Sequence, residues 1–283
     1  MDVTDRSSLP RRPLPRDVDD LPPLGTDFAD VLDVGLGNLG FALSAGQRRA
    51  IEDHVRLLIA WNAHINLSGL RSPGDIARGH VLDALLAVSA LREIARDDGT
   101  GISVLDLGSG GGYPGLPLAL TLPATRAALV DSIAKKASFL EAAAEVAGAD
   151  IDGAVELLAL NERAEDLADE PEHREGWDMV VARAVGTVAE CSELGLPLAR
   201  RNGHLVIWKR ASDGPARAAL NVEIDSARRL IQAVGGARTR VVELPAAESV
   251  GLAGSCLVVI RKIRPTPDRY PRSVGERRRG ALP

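Results

Sequence analysis

The stretch Val104-Leu105-Asp106-Leu107-Gly108-Ser109-Gly110-Gly111-Gly112-Tyr113-Pro114-Gly115 decides how this chain folds. An apolar strand delivers an acid, and five glycines then fall within eight residues. Glycines let the backbone turn sharply and approach a ligand without Cβ obstruction. Residues 110–115 satisfy G-x-G-x-x-G, the pattern of a dinucleotide site. Asp106, however, sits inside the strand just before the loop, where a cationic amino-acid ligand is held and a pyrophosphate is repelled. A second acid, Asp131, ends the next strand 23 residues after Gly108, placed to accept both ribose hydroxyls of an adenosine. Asp131 fits either ligand; Asp106 favours S-adenosylmethionine. A dinucleotide, or a glycine turn with no ligand, stays open on this pattern alone.

Outward from the loop, β-rich runs recur at residues 102–107, 127–130, 154–159, 179–182, 204–208, 239–244 and 256–263. Helical stretches fill most gaps, notably 133–147, 188–200 and 217–234. Such alternation implies a parallel sheet wound on both faces. Only residues 245–255 separate the last two strands, too few for a crossover helix, so the final strand is expected antiparallel. Seven strands with a reversed last one is a Rossmann-like, class I methyltransferase plan within the α/β class.

Upstream, Ser44-Ala-Gly-Gln47 has capping-box spacing and precedes Ile51, Val55, Leu58 and Ile59, predicting a helix to about Asn62. Ser72-Pro73 opens a second predicted helix through Ile76, His80, Ala84, Leu85 and Val88 to about Leu91. Together they make a small N-terminal helical unit, closed by the polar stretch from Arg96 to Gly101. Residues 1–25 hold five prolines and little apolar content, a composition expected to be disordered.

Length and composition bound the remaining choices. At ~150 residues per domain, 283 residues suggest about two units. Two cysteines, Cys191 and Cys256, make neither a disulfide framework nor a zinc site, which points to reduced thiols, a cytoplasmic setting and no metal. No apolar run reaches membrane-spanning length and the N-terminus lacks a signal-peptide core, so no membrane partner is expected. Net charge is −5, which excludes a protein coating nucleic acid with its whole surface but not a local basic patch. From Arg261 onward, eight basic residues face only Asp268 and Glu276. Three Phe, two Tyr and three Trp, all scattered, offer no stacking platform for single strands.

Taken together, several segments resemble one known family. They are Trp61-Asn62 with Asn66-Leu67-Ser68, Pro73, His80-Val-Leu-Asp83, the glycine loop through Pro117, Asp131-Ser132 with Lys135-Lys136, Arg163-Ala164-Glu165, Arg183-Ala184, Lys209 and Tyr270-Pro271-Arg272. The chain resembles, over about residues 45–275, the small-subunit rRNA guanine-N7 methyltransferases, also called glucose-inhibited division protein B. It departs from the family pattern at Gly79, Ala84 and Arg210. The resemblance implies an enzyme that moves a methyl group from S-adenosylmethionine to N7 of a guanine in 16S rRNA, with the small ribosomal subunit as partner and a monomer as working form. It implies that Gly108, Gly110 and Tyr113 wrap the donor's methionine and ribose, that Asp131 holds the ribose, and that Ala164 and Glu165 flank the adenine. Arg183 would stand near the donor and the incoming base as a positioning residue. Expected RNA contacts are Arg71, Arg78, Lys135, Lys136, Lys209, Arg269 and Arg272. Its domains divide as a disordered tail 1–40, a helical unit 41–98, a methyltransferase domain 99–263 and a basic C-terminal tail 264–283, the tail contributing to RNA and nothing to the donor site.

Plainer roles compete for the same residues: Asp106 bracing the loop, Asp131 ending a strand, Arg183 in a surface ion pair, Glu165 an exposed acid, and Lys135 and Lys136 on a solvated face. His80 and Asp83 stand three apart on one helix face, the spacing of a structural pair. An NAD(P)-dependent oxidoreductase and a non-catalytic RNA-binding protein are the alternative functions. The former needs a hydride-handling pair, and neither Tyr113 nor Tyr270 has a lysine downstream at helical spacing.

Overall fold

A computed structural model describes residues 13–95, 101–151, 155–211 and 213–279. Its strands are β1 (Ile102–Leu107), β2 (Ala124–Val130), β3 (Glu156–Leu160), β4 (Trp177–Arg183), β5 (Ala199–Arg210), β6 (Arg240–Glu243) and β7 (Ser255–Arg261). They form one sheet in the order β3-β2-β1-β4-β5-β7-β6. All pairs are parallel except those of β7, which runs against both β5 and β6, as the short 245–255 connection demands. The chain walks outward from β1 to β3, then returns to place β4 on the other side of β1. That reversal is a topological switch point, where α/β sheets open a crevice at the carboxyl ends of their strands. Leu107 pairs with Val130 and with Ala182, so Gly108, Asp131 and Arg183 leave the sheet at one level.

Apolar residues face both sides of the sheet. Val104, Leu129 and Val181 point to one core, and Leu105, Val130 and Val180 to the other. The second core is closed by α9 (Val188–Gly195) and α10 (Pro215–Ala233), and it contains Cys191 and Cys256. The predicted helix 188–200 stops early because Pro197 cannot continue it, and β5 starts at Ala199.

The first core is shared with the N-terminal helices. Leu32 of α1 (Thr26–Leu39) and Ile51 and Leu58 of α2 (Ala45–Asn62) belong to the same cluster as Val104 and Leu257. The α2 start is as predicted: Ser44 accepts from the Gln47 amide and Gln47 from the Ser44 amide. The tail assigned to residues 1–40 needs correction. Phe28, Leu32 and Leu36 recur every fourth residue and are buried, and α1 ends in a left-handed Gly40 whose amide returns to Gly37. Just before it, the Pro15 carbonyl accepts from the Trp61 indole at 2.7 Å. The part of that expectation on residues 1–12 lies outside the described residues, as does most of the Arg96–Gly101 stretch.

The second predicted helix is interrupted. It runs as α3 (Pro73–Ile76), a π-helical turn (Ala77–Leu82), α4 (Asp83–Leu85) and, after a break, α5 (Val88–Ala95). Around the sheet, α6 (Gly115–Thr121), α7 (Ala134–Asp150) and α8 (Ala164–Leu167) follow β1, β2 and β3. The C-terminal tail also proves ordered where it is described. Tyr270 is buried against the second core, and Ser273 and Glu276 cap each other to open a short α11 (Val274–Arg278).

Candidate active site

The glycine loop takes left-handed backbone at Gly108, Gly110 and Gly112. Two of these positions also have no room for a side chain. A Cβ on Gly108 would stand 2.9 Å from Val185, and one on Gly112 2.7 Å from His54. Asp106 faces the loop from within β1. Its Oδ2 accepts from the Ser109 hydroxyl at 2.6 Å and the Gly115 amide at 2.8 Å. Its Oδ1 is buried with no hydrogen-bond partner among the described residues. Burial pushes this carboxyl up to about 6, against the hydrogen bonds from Ser109 and Gly115.

Asp131, at the end of β2, accepts from the Gly110 amide at 3.1 Å with Oδ2 and from the Ile133 amide at 2.9 Å with Oδ1. It therefore fixes loop and helix entry together, and it also stands on the wall of a cavity of about 130 Å³. Gly108, Ala164 and Glu165 share that wall, with Val185, Leu194 and Arg277. Four of the expected donor residues thus meet at one crevice, at the switch point.

Tyr113 and Arg183 are placed differently. Neither is on that wall; they form a second cluster under the loop. Tyr113 is buried, stacked on His80 with centroids 4.6 Å apart and tilted against His54 at 4.7 Å. Arg183 lies over the same ring at 5.7 Å. Its guanidinium donates to the Gly79 carbonyl at 3.1 Å, to Asp83 Oδ2 at 2.8 Å and to His80 Nδ1 at 2.8 Å. The π turn explains itself here, because Gly79 O serves Arg183 and both His80 and Asp83 reach one guanidinium; such turns recur at functional sites. With Nδ1 accepting, His80 carries its hydrogen on Nε2, which faces Ser68 Oγ at 2.6 Å. Burial, then the Arg183 charge, pushes His80 down to about 3, so the ring is neutral. Ser68 is delivered by Asn62, whose Oδ1 accepts from the Leu67 and Ser68 amides at 2.9 and 3.0 Å. The Trp-Asn…Asn-Leu-Ser segment is thus a bracket ending on Arg183.

His54 escaped the sequence reading. Its signal was position: three residues after Ile51, inside the apolar stripe of α2. It is buried and donates from Nε2 to the Gly111 carbonyl at 2.8 Å, and burial pushes it down to about 4.

Residues 47–240 match the model of the family described as rRNA small subunit methyltransferase G (GidB). The chain belongs to this family. A ribosomal RNA small subunit methyltransferase G of Desulforamulus reducens is 32% identical over 251 residues, which cover 88% of this chain and 96% of that protein. One from Roseiflexus castenholzii is 36% identical over 243 residues, covering 84% and 95%. A third, from Symbiobacterium thermophilum, is 33% identical over 252 residues, covering 88% and 96%.

In this methyltransferase, several expected RNA cations are engaged within the protein. Lys209 donates to Glu223 at 2.8 Å, and Arg272 grips Glu193 through Nε at 2.7 Å and NH2 at 2.8 Å. Lys136 lies 3.8 Å from Asp131. Arg78 is exposed but lies beside Gly251, away from the crevice. Arg71, Lys135 and Arg269 are exposed. Arg277, in the tail expected to stay clear of the donor site, is on the cavity wall. No described helix is long and apolar enough to cross a membrane.

Proposed function

We propose that this methyltransferase uses S-adenosylmethionine to methylate N7 of a guanine in 16S rRNA, acting in the cytoplasm as a monomer on the small ribosomal subunit. The observation that carries the reading is the switch-point cavity, walled by Gly108, Asp131 and Glu165, in a chain of this family. Its donor set fits that cofactor: carboxylates suit a ribose diol and an adenine amine, and the unpartnered Oδ1 of Asp106 suits a positively charged amino group. A pyrophosphate would meet those same carboxylates, which disfavours a dinucleotide.

When bound, the donor supplies a methyl group on a sulfonium, open to in-line displacement. Held by Gly108, Asp131, Ala164 and Glu165, it would offer that methyl group to the guanine N7 lone pair. N7 carries no proton, so no general base is required, and the work left to the protein is positioning. Arg183 suits that work. Its guanidinium is fixed by Gly79, His80 and Asp83, and the Asp83 carboxylate offsets a charge that would otherwise oppose the cationic product. Neutral His80 adds no second cation.

The test is methylation of small subunits lacking this modification by purified protein and labelled donor, followed by nucleoside mass spectrometry. The expected product is 7-methylguanosine. A different methylated nucleoside, or none, would refute the proposal.

A further inference from the structure

The Arg277 wall of the cavity lies beyond the 47–240 stretch that matches the family model. Arg277 donates from NH2 to Glu165 Oε1, and Arg163 donates to the same oxygen at 3.2 Å. We propose that Arg277 is a donor-site positioning residue and that the C-terminal segment completes this site. The inference rests on the reading of the cavity as the S-adenosylmethionine site.

The segment is built to deliver that guanidinium. Thr266 accepts from the buried Lys262 ammonium at 2.6 Å, and Tyr270 is buried in the second core. Arg272 is clamped at two points on Glu193, and its backbone amide donates to the same carboxylate at 3.0 Å. Glu193 immediately precedes Leu194, which is itself on the cavity wall. The Ser273–Glu276 box then opens α11, and Arg277 NH1 donates back to the Arg272 carbonyl at 2.8 Å. Arg277 is thereby fixed at both ends of its guanidinium, to the anchored strap and to Glu165.

The consequence falls on Glu165. Its side chain and that of Arg277 are 13% and 16% exposed, a pair largely removed from water and salt screening. Burial alone would raise the Glu165 carboxyl; the hydrogen bond from Arg277 leads the interactions that more than offset this and hold it below its ordinary value. With both guanidinium bonds on Oε1, the acid stays ionised in one orientation, and Oε2 is left to accept from an amine or hydroxyl of the donor's adenosine. Without Arg277, the side chains bonded to this partly buried acid on a four-residue helix would reduce, among the described residues, to Arg163, itself half exposed.

The experiment uses the full chain, titrated calorimetrically with S-adenosylhomocysteine and assayed for methyl transfer. Arg277→Ala should weaken binding and raise the donor KM about tenfold, with kcat and the RNA KM within about twofold. Arg277→Lys, which restores one charged donor, should recover part of that loss. Glu165→Gln should lose about as much alone as combined with Arg277→Ala, the non-additivity of a coupled pair. Arg279→Ala removes the same charge two residues away and should leave donor affinity unchanged. Wild-type donor affinity in Arg277→Ala, or a rise confined to the RNA KM, overturns the proposal. If Arg277→Ala loosens the segment, as a lowered melting temperature would show, Arg277→Lys and Glu165→Gln decide. Failure of the unmodified chain to bind S-adenosylhomocysteine would instead overturn the reading of the cavity, and the proposal with it.

Discussion

Asp131 does two things with one carboxylate, and its substitution should separate them. It ties the Gly110 amide to the entry of α7 and stands on the cavity wall. A ligand at 100 times its dissociation constant stabilises a protein by about 2.7 kcal/mol. Hydrogen bonds to a charged acceptor are worth about 1.5–3 kcal/mol, so Asp131→Ala should abolish most of the melting-temperature rise caused by S-adenosylhomocysteine. A rise of wild-type size in that variant would remove Asp131 from the donor site. Arg183 poses a different problem, because its partner Asp83 is buried. Arg183→Ala strands that carboxylate, a loss of about 3–5 kcal/mol, so lowered turnover would be confounded with lowered stability. Arg183→Lys keeps the charge but cannot present a fork to Gly79, Asp83 and His80 together. The lysine variant should melt nearer the wild type yet turn over about tenfold more slowly at saturating donor and RNA. Equal turnover would reduce Arg183 to a structural ion pair.

At the scale of elements, β1 with its glycine loop and the reversed β7 were legible because each is a local pattern: apolar run, acid and glycines, or a gap too short for a helix. The π turn was not legible. His80 and Asp83 stood at visible helical spacing, but the guanidinium that unites them arrives 103 and 100 residues later. α11 was missed for the same reason; five residues carry no periodicity, and what holds Arg277 is Glu165, 112 residues away. Packing α2 and the π turn around Tyr113 has a further consequence. His54 and His80 are held at about 4 and 3, below the ordinary 6.5, so below pH 6.5 the unfolded chain takes up two protons that the folded chain refuses. Their stabilisation is complete above pH 6.5 and is lost as pH falls through the folded values. Asp106, raised to about 6, acts in the opposite sense, its contribution present below 3.8 and lost as pH rises through 6. For these three groups the balance between about pH 4 and 6 is roughly one proton, contributing about 1.4 kcal/mol of stability per pH unit gained. His54→Phe should flatten that slope in urea unfolding across the same window, beyond a constant loss of about 1–3 kcal/mol for the orphaned Gly111 carbonyl. An undiminished slope would show that His54 titrates normally.

For the whole molecule, the question is how a chain of net charge −5 holds a polyanion. The C-terminal concentration of arginines invites the answer that the tail does so. The fold redirects part of it: Arg272 and Arg277 are bonded to Glu193 and Glu165, so truncation after Ile263 should cost donor affinity as well as RNA affinity. The cations left exposed near the crevice lie elsewhere. Arg71 follows the Asn62 bracket, whose Leu67 carbonyl approaches Gly111, and Lys135 opens α7 beside Asp131 and Ser132. Each adjoins an element that holds the loop, and an RNA strand bringing a base to Arg183 is expected to meet both. Each phosphate neutralised contributes about 0.7–0.9 to the slope of log affinity against log salt. Replacing both Arg71 and Lys135 by Ala should therefore reduce that slope by about 1.4–1.8 on the small ribosomal subunit, with S-adenosylhomocysteine binding unchanged. Arg229→Ala, which removes an exposed charge from α10 on the other face of the sheet, should leave the slope as it was. Filter binding over a salt series compares both variants with the unmodified chain. If the double variant kept the full slope, the RNA would have to approach over a different face, and Arg269 on the C-terminal segment would be the next cation to remove.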